Sequence, residues 1–249
     1  MTDRDRSLRW LGEHQHLVLL AILLLVAGVW GFILIADEVR EGGTQKFDDW
    51  AIRSLRRADD PATPIGPPWL NEAARDVTAL GGVTFLTLLT FFVAGYLLMV
   101  RKYHAMWLVL IATFSGLAAS TVLKHFFHRP RPELVPHLSY VYTSSFPSGH
   151  SMMSAITYLT LGTLLARLTP GWAVKIYLVA CALFVTGLIG ISRVYMGVHY
   201  PTDVLAGWTA GLVWAILCWL AARYLQRRGA VEKDLQQTDD LPAHDLENL

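Results

Sequence analysis

Three separated segments of the sequence hold side chains that could bind a phosphate group and break its P–O bond. In chain order they supply cations, a hydroxyl next to a glycine, two histidines and a carboxylate: Lys124, Arg131, Ser148, Gly149, His150, Arg193, His199 and Asp203. Phosphoryl transfer depends mainly on positioning the phosphate and stabilising its charge, which these residue types can do. Because each segment adjoins a long apolar run, the sequence indicates that the phosphate belongs to a membrane lipid.

The cations of these segments stand at the boundaries of apolar runs, where an unpaired charge is costly. Arginine binds phosphate oxygens through a planar, bidentate fork, and lysine acts as a compact point charge. A single cation at such a boundary is often a snorkelling side chain. The combination of Lys124, Arg131 and Arg193 with two histidines favours an anion site instead, whereas for Arg129 the sequence supports both interpretations equally.

The segment Pro147-Ser148-Gly149-His150 directly precedes an apolar run, so we predict that it opens a helix. A helix N-terminus presents free N–H groups and a favourable dipole to anions. Gly149 lets the backbone approach a ligand closely. The hydroxyl of Ser148 can donate to a phosphate oxygen or cap the helix, and the two roles are compatible.

His199 and Asp203 lie four residues apart at the start of the last apolar run, with Pro201 at a suitable first helical position. One helical turn would bring the carboxylate to an imidazole nitrogen. That contact would fix the tautomer and stabilise developing positive charge, as the orienting acid of a catalytic triad does.

The sequence predicts neither a metal nor another cofactor. It contains no HExxH motif and no cysteine ligand set. Two histidines and one aspartate could in principle hold a metal, but the cations around them oppose that. The remaining histidines are interpreted as surface, interfacial or spacer residues, and Cys181 and Cys218 as small hydrophobes within apolar runs.

The composition is that of a membrane protein. Of 249 residues, 53% are hydrophobic and only 16% are charged, compared with about 25% charged residues in ordinary soluble domains. The net charge is +1, so the chain has no basic field that would indicate binding to nucleic acid.

The apolar runs predict an all-α, polytopic membrane protein with six transmembrane helices and an active site at one membrane face. The first run has twenty residues without a charge, enough to cross a hydrocarbon core of ~30 Å, and we interpret it as a retained span rather than a signal peptide. The six predicted spans are residues 17–36, 78–100, 105–127, 151–168, 172–191 and 201–225.

The spans belong to one domain, residues 17–228, which is preceded by an N-terminal segment, 1–16. The only long connection is 37–77. Within it, residues 47–55 carry apolar side chains at nearly helical spacing, which fits a helix lying on the membrane surface or a plain solvated loop. The tail, 229–249, is polar and acidic, and we expect it to be disordered.

Six spans would place both termini on one side of the membrane and all three phosphate-binding segments on the other. Basic clusters in short segments at span ends mark the side of the termini. We therefore expect a cytoplasmic N-terminus and an active site facing the periplasm or exterior, in a bacterial inner membrane. Gly207 and Gly211 form a GxxxG pattern in the last span, which indicates a close helix contact or a dimer face, so the oligomeric state stays open.

At the level of motifs, the three segments resemble the signature of the type 2 phosphatidic acid phosphatase (PAP2) superfamily. That signature is Lys-x6-Arg-Pro, then Pro-Ser-Gly-His, then Ser-Arg-x5-His-x3-Asp, and every defined position matches in order between residues 124 and 203. The long first loop and the acidic tail are not part of the resemblance. Soluble vanadate-dependent haloperoxidases share the signature, and there the histidine binds vanadate as a mimic of the pentacoordinate phosphoryl state. The six predicted spans argue against that function for this chain, whereas the shared signature implies inhibition by vanadate.

The resemblance implies a role for each matched residue. His199 would be the nucleophile that forms a phosphohistidine, Asp203 would orient it, and His150 would protonate the leaving lipid oxygen. The residues implied to bind the phosphoryl oxygens are Lys124, Arg131, Ser148, Gly149 and Arg193.

The resemblance also implies the class of reaction, the hydrolysis of a lipid phosphate or diphosphate without a metal. Undecaprenyl diphosphate, phosphatidylglycerophosphate, phosphatidate and diacylglycerol pyrophosphate are the substrates it suggests, and an outward-facing site favours the first. A lipid phosphotransferase or a lipid A phosphatase using the same site is the alternative. A transporter is disfavoured because repeated halves and discontinuous spans are not evident in the sequence.

Overall fold

The computed structural model describes residues 3–133, 135 and 143–227, so the predicted tail, 229–249, lies outside the described residues. The described residues form α-helices without any strand, which confirms the predicted all-α fold. The helices are α1 (Asp3–Glu41), α2 (Gln45–Ser54), α3 (Pro68–Ala79), α4 (Val83–Met99), α5 (Tyr103–Phe127), α6 (Gly149–Leu168), α7 (Trp172–Tyr195) and α8 (Pro201–Arg227).

Helix α6 is the centre of the bundle and packs against α4, α5, α7 and α8, while α1 packs against α8. Its contact with α8 is unusually close. A Cβ atom at Gly207 would stand 2.6 Å from the carbonyl oxygen of Ser148, and one at Gly211 would stand 2.6 Å from that of Met152. The GxxxG face therefore packs against α6 of the same chain, and the small residues are what allow the two backbones to approach.

The prediction of six spans is confirmed only in part. Four helices of the described chain are long and apolar enough to cross a membrane by themselves, α1, α5, α7 and α8, and α3 with α4 would make a fifth as one bent span. Helix α6, predicted as the fourth span, does not meet that criterion. The physical reason is its central position, where neighbouring helices bury small polar side chains such as Ser151, Ser154 and Thr157.

The predicted second span, 78–100, is wrong in its first residues. Thr78 ends the short helix α3, and the spanning helix α4 begins at Val83. The two helices are bent by 49°. The break falls at Gly81-Gly82, as expected of glycines, which are poor helix formers.

The connection 37–77 is mostly helical. Helix α1 runs on to Glu41, and α2 covers most of the predicted segment 47–55. Helix α2 exposes Phe47 and Trp50 but buries Asp48 and Ile52. A carboxylate on the buried face shows that this helix packs onto the bundle through more than apolar contacts.

Candidate active site

Four helix ends meet at one end of the bundle and carry most of the predicted site residues. Lys124 lies in the last turn of α5, and Arg193 lies in the last turn of α7. Helix α7 continues to Tyr195, one turn beyond its predicted end at 191. Gly149 and His150 begin α6, and Asp203 lies in the first turn of α8. The links between these helices, 128–148 and 196–200, contribute Arg131 and His199. The structure thus brings together all eight predicted residues.

His199 is held at both ring nitrogens. Nδ1 lies 3.4 Å from Oδ2 of Asp203, and Nε2 lies 3.2 Å from Nη1 of Arg131. A carboxylate beside Nδ1 favours the tautomer with its proton on that nitrogen, which leaves the lone pair of Nε2 directed at the cations. The predicted i,i+4 contact between His199 and Asp203 is present, and it orients the imidazole as a nucleophile requires.

The surroundings of His199 also set its charge. The residue is 1% exposed, and this burial is the main cause that holds the pKa of the imidazole well below its usual range. The positive charges of Arg193, Arg131 and Lys124 lower the pKa further. The ring is therefore neutral near pH 7, and only a neutral imidazole has a free lone pair to attack phosphorus.

Asp203 is fully buried, and both of its oxygens accept hydrogen bonds. Oδ2 accepts from the backbone N–H of Tyr200 at 2.9 Å and from the hydroxyl of Ser145. Oδ1 accepts from Nη1 of Arg129 at 2.7 Å. These contacts fix the carboxylate in the orientation that faces His199.

Arg129 is bound by carboxylates, which answers the question its sequence position left open. One guanidinium nitrogen lies 2.7 Å from Asp203 and the other lies 2.8 Å from Asp48 of α2. The guanidinium also stacks over the ring of Tyr200, 4.3 Å from its centroid. The N–H groups of Arg129 point to these partners. Arg129 therefore holds Asp203 in position and is not one of the cations that contact His199.

Sequence reasoning missed Asp48 and Ser145. The carboxylate of Asp48 accepts from the backbone N–H of Thr202 at 3.2 Å and from its hydroxyl at 2.6 Å, so it also caps the start of α8. The sequence did contain a signal for Asp48. This residue lies four positions before Ile52, on the apolar side of an amphipathic helix, where a carboxylate is unexpected unless it has a partner. Ser145 carried no such signal, because it lies in an irregular link just before the Pro-Ser-Gly-His segment.

The three predicted phosphate cations are held mainly by neutral oxygens. Nζ of Lys124 donates to the carbonyl of Ser144 at 2.7 Å, and Arg131 donates to the carbonyls of Thr143 and Val198 at 2.8 and 2.6 Å. Arg193 donates to the hydroxyl of Thr78 at 3.1 Å, and its Nε is buried without a partner.

Within the described parts of the chain, none of Lys124, Arg131 and Arg193 forms an ion pair with a carboxylate. Their positive charge is therefore available to an anion. The three cations whose charges act on His199 make a pocket suited to a phosphoryl group.

The start of α6 completes the site. The hydroxyl of Ser148 accepts from the N–H and the hydroxyl of Ser151, so it caps the helix and still has its own proton to donate. A Cβ atom at Gly149 would stand 3.2 Å from Cε of Lys124, so the glycine leaves room for the lysine. His150 packs against Gly81 and Gly82, at the break between α3 and α4.

Among the described residues, no group of side chains is suited to holding a metal ion. No cluster of three or more His, Cys, Asp or Glu side chains converges anywhere in residues 3–133, 135 and 143–227. Arg131 contacts Nε2 of His199, and the charges of Arg193 and Lys124 also act on the ring, which suits an anion better than a metal ion.

Comparison with known proteins places this geometry in a family. The profile of the PAP2 superfamily matches residues 104–227. Phosphatidylglycerophosphatase B of Bacillus subtilis (strain 168) is 34% identical over 185 residues, which cover 73% of this chain and 86% of that protein. A lipid A 1-phosphatase of Rhizobium etli is 29% identical over 59% of this chain and 71% of its own length.

A solved structure shares the fold as well. The crystal structure of a transmembrane PAP2-type phosphatidylglycerolphosphate phosphatase from Bacillus subtilis matches with a TM-score of 0.73 and 29% identity. The match covers 82% of this chain and 98% of that one. The family profile lies over the helices that build the site, α5 to α8. Motifs, site geometry and overall similarity therefore agree that this chain belongs to the PAP2 superfamily.

Proposed function

We propose that this PAP2 lipid phosphatase hydrolyses its substrate through a phosphohistidine on His199, without a metal. The observation that carries the proposal is the two-sided arrangement of the imidazole. Nδ1 faces the buried carboxylate of Asp203, whereas Nε2 faces Arg131 and its neighbouring cations. Nε2 attacks phosphorus in line, the bond to the lipid oxygen breaks, and Asp203 stabilises the positive charge that develops on the ring.

The other residues act on the oxygens of the phosphoryl group. Lys124, Arg131 and Arg193 stabilise the charge that spreads over the equatorial oxygens. The hydroxyl of Ser148 and the N–H groups at the start of α6 add hydrogen bonds. Burial, followed by the charges of Arg193, Lys124 and Arg131, lowers the pKa of His150 to about 3, so the negative charge of the bound phosphate is what lets this ring hold a proton. His150 gives that proton to the leaving lipid oxygen, and it later removes one from the water that hydrolyses the phosphohistidine.

The substrate that we place first is phosphatidylglycerophosphate. The support is the relative from Bacillus subtilis, which bears the name of that activity and aligns with 73% of this chain. Undecaprenyl diphosphate, phosphatidate and diacylglycerol pyrophosphate present the same phosphoryl chemistry to the pocket. A lipid A phosphatase is a second candidate, favoured by the similarity to the Rhizobium etli protein, and a phosphotransferase would use the same first step.

We expect purified protein in detergent to release inorganic phosphate from phosphatidylglycerophosphate in the presence of EDTA. The three cations already supply the charge stabilisation for which a metal would otherwise be needed. The assay compares phosphatidylglycerophosphate with undecaprenyl diphosphate, phosphatidate and diacylglycerol pyrophosphate. Activity that is lost with EDTA and restored by Mg²⁺ would contradict the mechanism, and phosphate that appears on an added acceptor lipid would identify a transferase.

The proposed location is a bacterial inner membrane with the site facing the periplasm. Its support is the distribution of basic residues at span ends. Asp59 is exposed in the connection between α2 and α3, on the side of the site. The test uses a variant whose native cysteines are replaced and that carries Asp59→Cys. We expect this cysteine to react with a maleimide that passes the outer membrane but does not cross the inner membrane of intact cells. Labelling of this cysteine only after lysis of the inner membrane would reverse the orientation.

A further inference from the structure

A second basic site lies next to the active site, in the connection between α2 and α3. A cavity of about 270 Å³ is lined by three arginines and three uncharged residues: Arg53, Arg56, Arg57, Ala58, Pro61 and Val135. Val135 packs with Ile52 and Tyr200, the residue that follows His199. The cavity is thus close to the site but uses none of the residues assigned to phosphoryl transfer.

Arg56 has hydrogen-bond donors that lack partners. The residue is only 5% exposed. Its Nη1 donates to the carbonyl of Tyr195 at 2.9 Å and to that of Leu55 at 3.1 Å, whereas its Nε and Nη2 are buried without a partner. Buried donors without acceptors are costly and uncommon. Because Arg56 lines the cavity, a ligand with several acceptor oxygens there would offer acceptors to this guanidinium.

The walls of the cavity are fixed before any ligand arrives. The N–H of Arg57 donates to the carbonyl of Thr63, and that of Ile65 donates to the carbonyl of Leu55, both at 3.0 Å. The carboxylate of Asp60 interacts electrostatically with Arg57. It also accepts hydrogen bonds from the hydroxyl of Thr63 and the N–H of Ala62. The arginines therefore lie on an ordered loop, which reduces the entropy lost on binding.

We propose that this cavity binds the phosphate of an anionic phospholipid headgroup at a site separate from the catalytic pocket. The planar guanidinium fork suits phosphate oxygens, with Arg56 at the buried base and Arg53 and Arg57 exposed at the rim. Helix α2, which contributes Arg53 to the cavity, exposes Phe47 and Trp50, and such aromatic side chains are typical of the membrane interface.

A lipid is thus the nearest source of the phosphate, although free phosphate offers the same oxygens. The inference rests on the proposed function only in placing this face at the membrane surface.

The test is thermal unfolding of the purified full chain in neutral detergent, titrated separately with phosphatidylglycerol, phosphatidylcholine and inorganic phosphate. We expect phosphatidylglycerol to raise the Tm of the wild type, and phosphatidylcholine to have no effect. The double variant Arg53→Gln/Arg57→Gln should bind phosphatidylglycerol about tenfold more weakly, because it loses charge-assisted hydrogen bonds. Both residues are exposed, so the variant should fold.

A control with equal loss of charge is Lys46→Gln/Arg75→Gln, which removes two exposed cations of the same connection outside the cavity. It should bind phosphatidylglycerol as the wild type does. Equal affinity in wild type and the Arg53/Arg57 variant, or an equal loss in the control, would overturn the proposal. If inorganic phosphate raises the Tm through these arginines and phosphatidylglycerol does not, the proposal that the phosphate belongs to a lipid is refuted.

Lipid phosphatase activity is measured on the same preparations, so that two failures can be told apart. If the enzyme is active but phosphatidylglycerol binds equally well to the wild type and to the Arg53→Gln/Arg57→Gln variant, only the second site is refuted. Absence of activity in every preparation, on every lipid, refutes the proposed function instead.

Discussion

Replacing His199 by glutamine is expected to lower phosphate release by at least about 10⁴-fold, because removal of a nucleophile leaves only the binding contribution to catalysis. Glutamine has no lone pair on nitrogen that could attack phosphorus, yet it fills a similar volume at this buried position. The measurement is the initial rate of phosphate release, together with the elution volume and the Tm of the purified variant. These two structural readouts should stay close to those of the wild type.

The control for this prediction is His125→Gln. His125 is an exposed histidine of α5, and its ring contacts the carbonyl of Thr121 in its own helix. The control should keep wild-type activity. Substantial residual turnover in a folded His199→Gln protein would show that another group attacks phosphorus.

Replacing Asp48 by asparagine is expected to lower kcat by about tenfold to hundredfold, by analogy with the range for residues that orient the ligands of metal sites. Asp48 does not reach the phosphate pocket. It holds Arg129, which holds Asp203, which orients His199. Because the cations that bind the phosphate stay in place, KM should change less than kcat. The two constants are measured separately over a range of substrate in mixed micelles.

Asp49→Asn is the matched control, because the neighbouring carboxylate of α2 accepts from Gln45 of its own helix. It should leave kcat unchanged. A double-mutant cycle of Asp48→Asn with Arg129→Gln adds a second test. If Asp48 acts through Arg129, the double variant will be clearly less impaired than the product of the two single effects. Independent effects, or a loss confined to KM, would refute the positioning role.

Much of the site could be predicted from sequence because its residues lie in helical register or at helix ends. Asp203 stands one turn beyond His199, so their contact required only that α8 begin near Pro201. The convergence of the three segments followed from the alternating direction of successive helices. Both arguments use local geometry, which the sequence encodes directly.

The rest of the site depended on tertiary contacts that no local pattern encodes. Asp48 binds Arg129, which is 81 positions away in the chain. Only the three-dimensional structure shows that the carboxylate of Asp48 in α2 faces α8. The prediction of six spans was confirmed only in part for a related reason. Hydropathy measures contact with lipid, whereas α6 is buried by protein and can carry serine and threonine at its core positions.

The central claim, a phosphohistidine on His199, is tested most directly by trapping the intermediate. Wild-type protein is mixed with a lipid carrying a radiolabelled terminal phosphate, quenched in alkali within the first turnover and digested to peptides. We predict label on the peptide that contains His199, stable in alkali and lost in acid, and its absence from the His199→Gln variant. A label on another residue, or turnover that releases phosphate at the wild-type rate without any labelled peptide, would contradict the account.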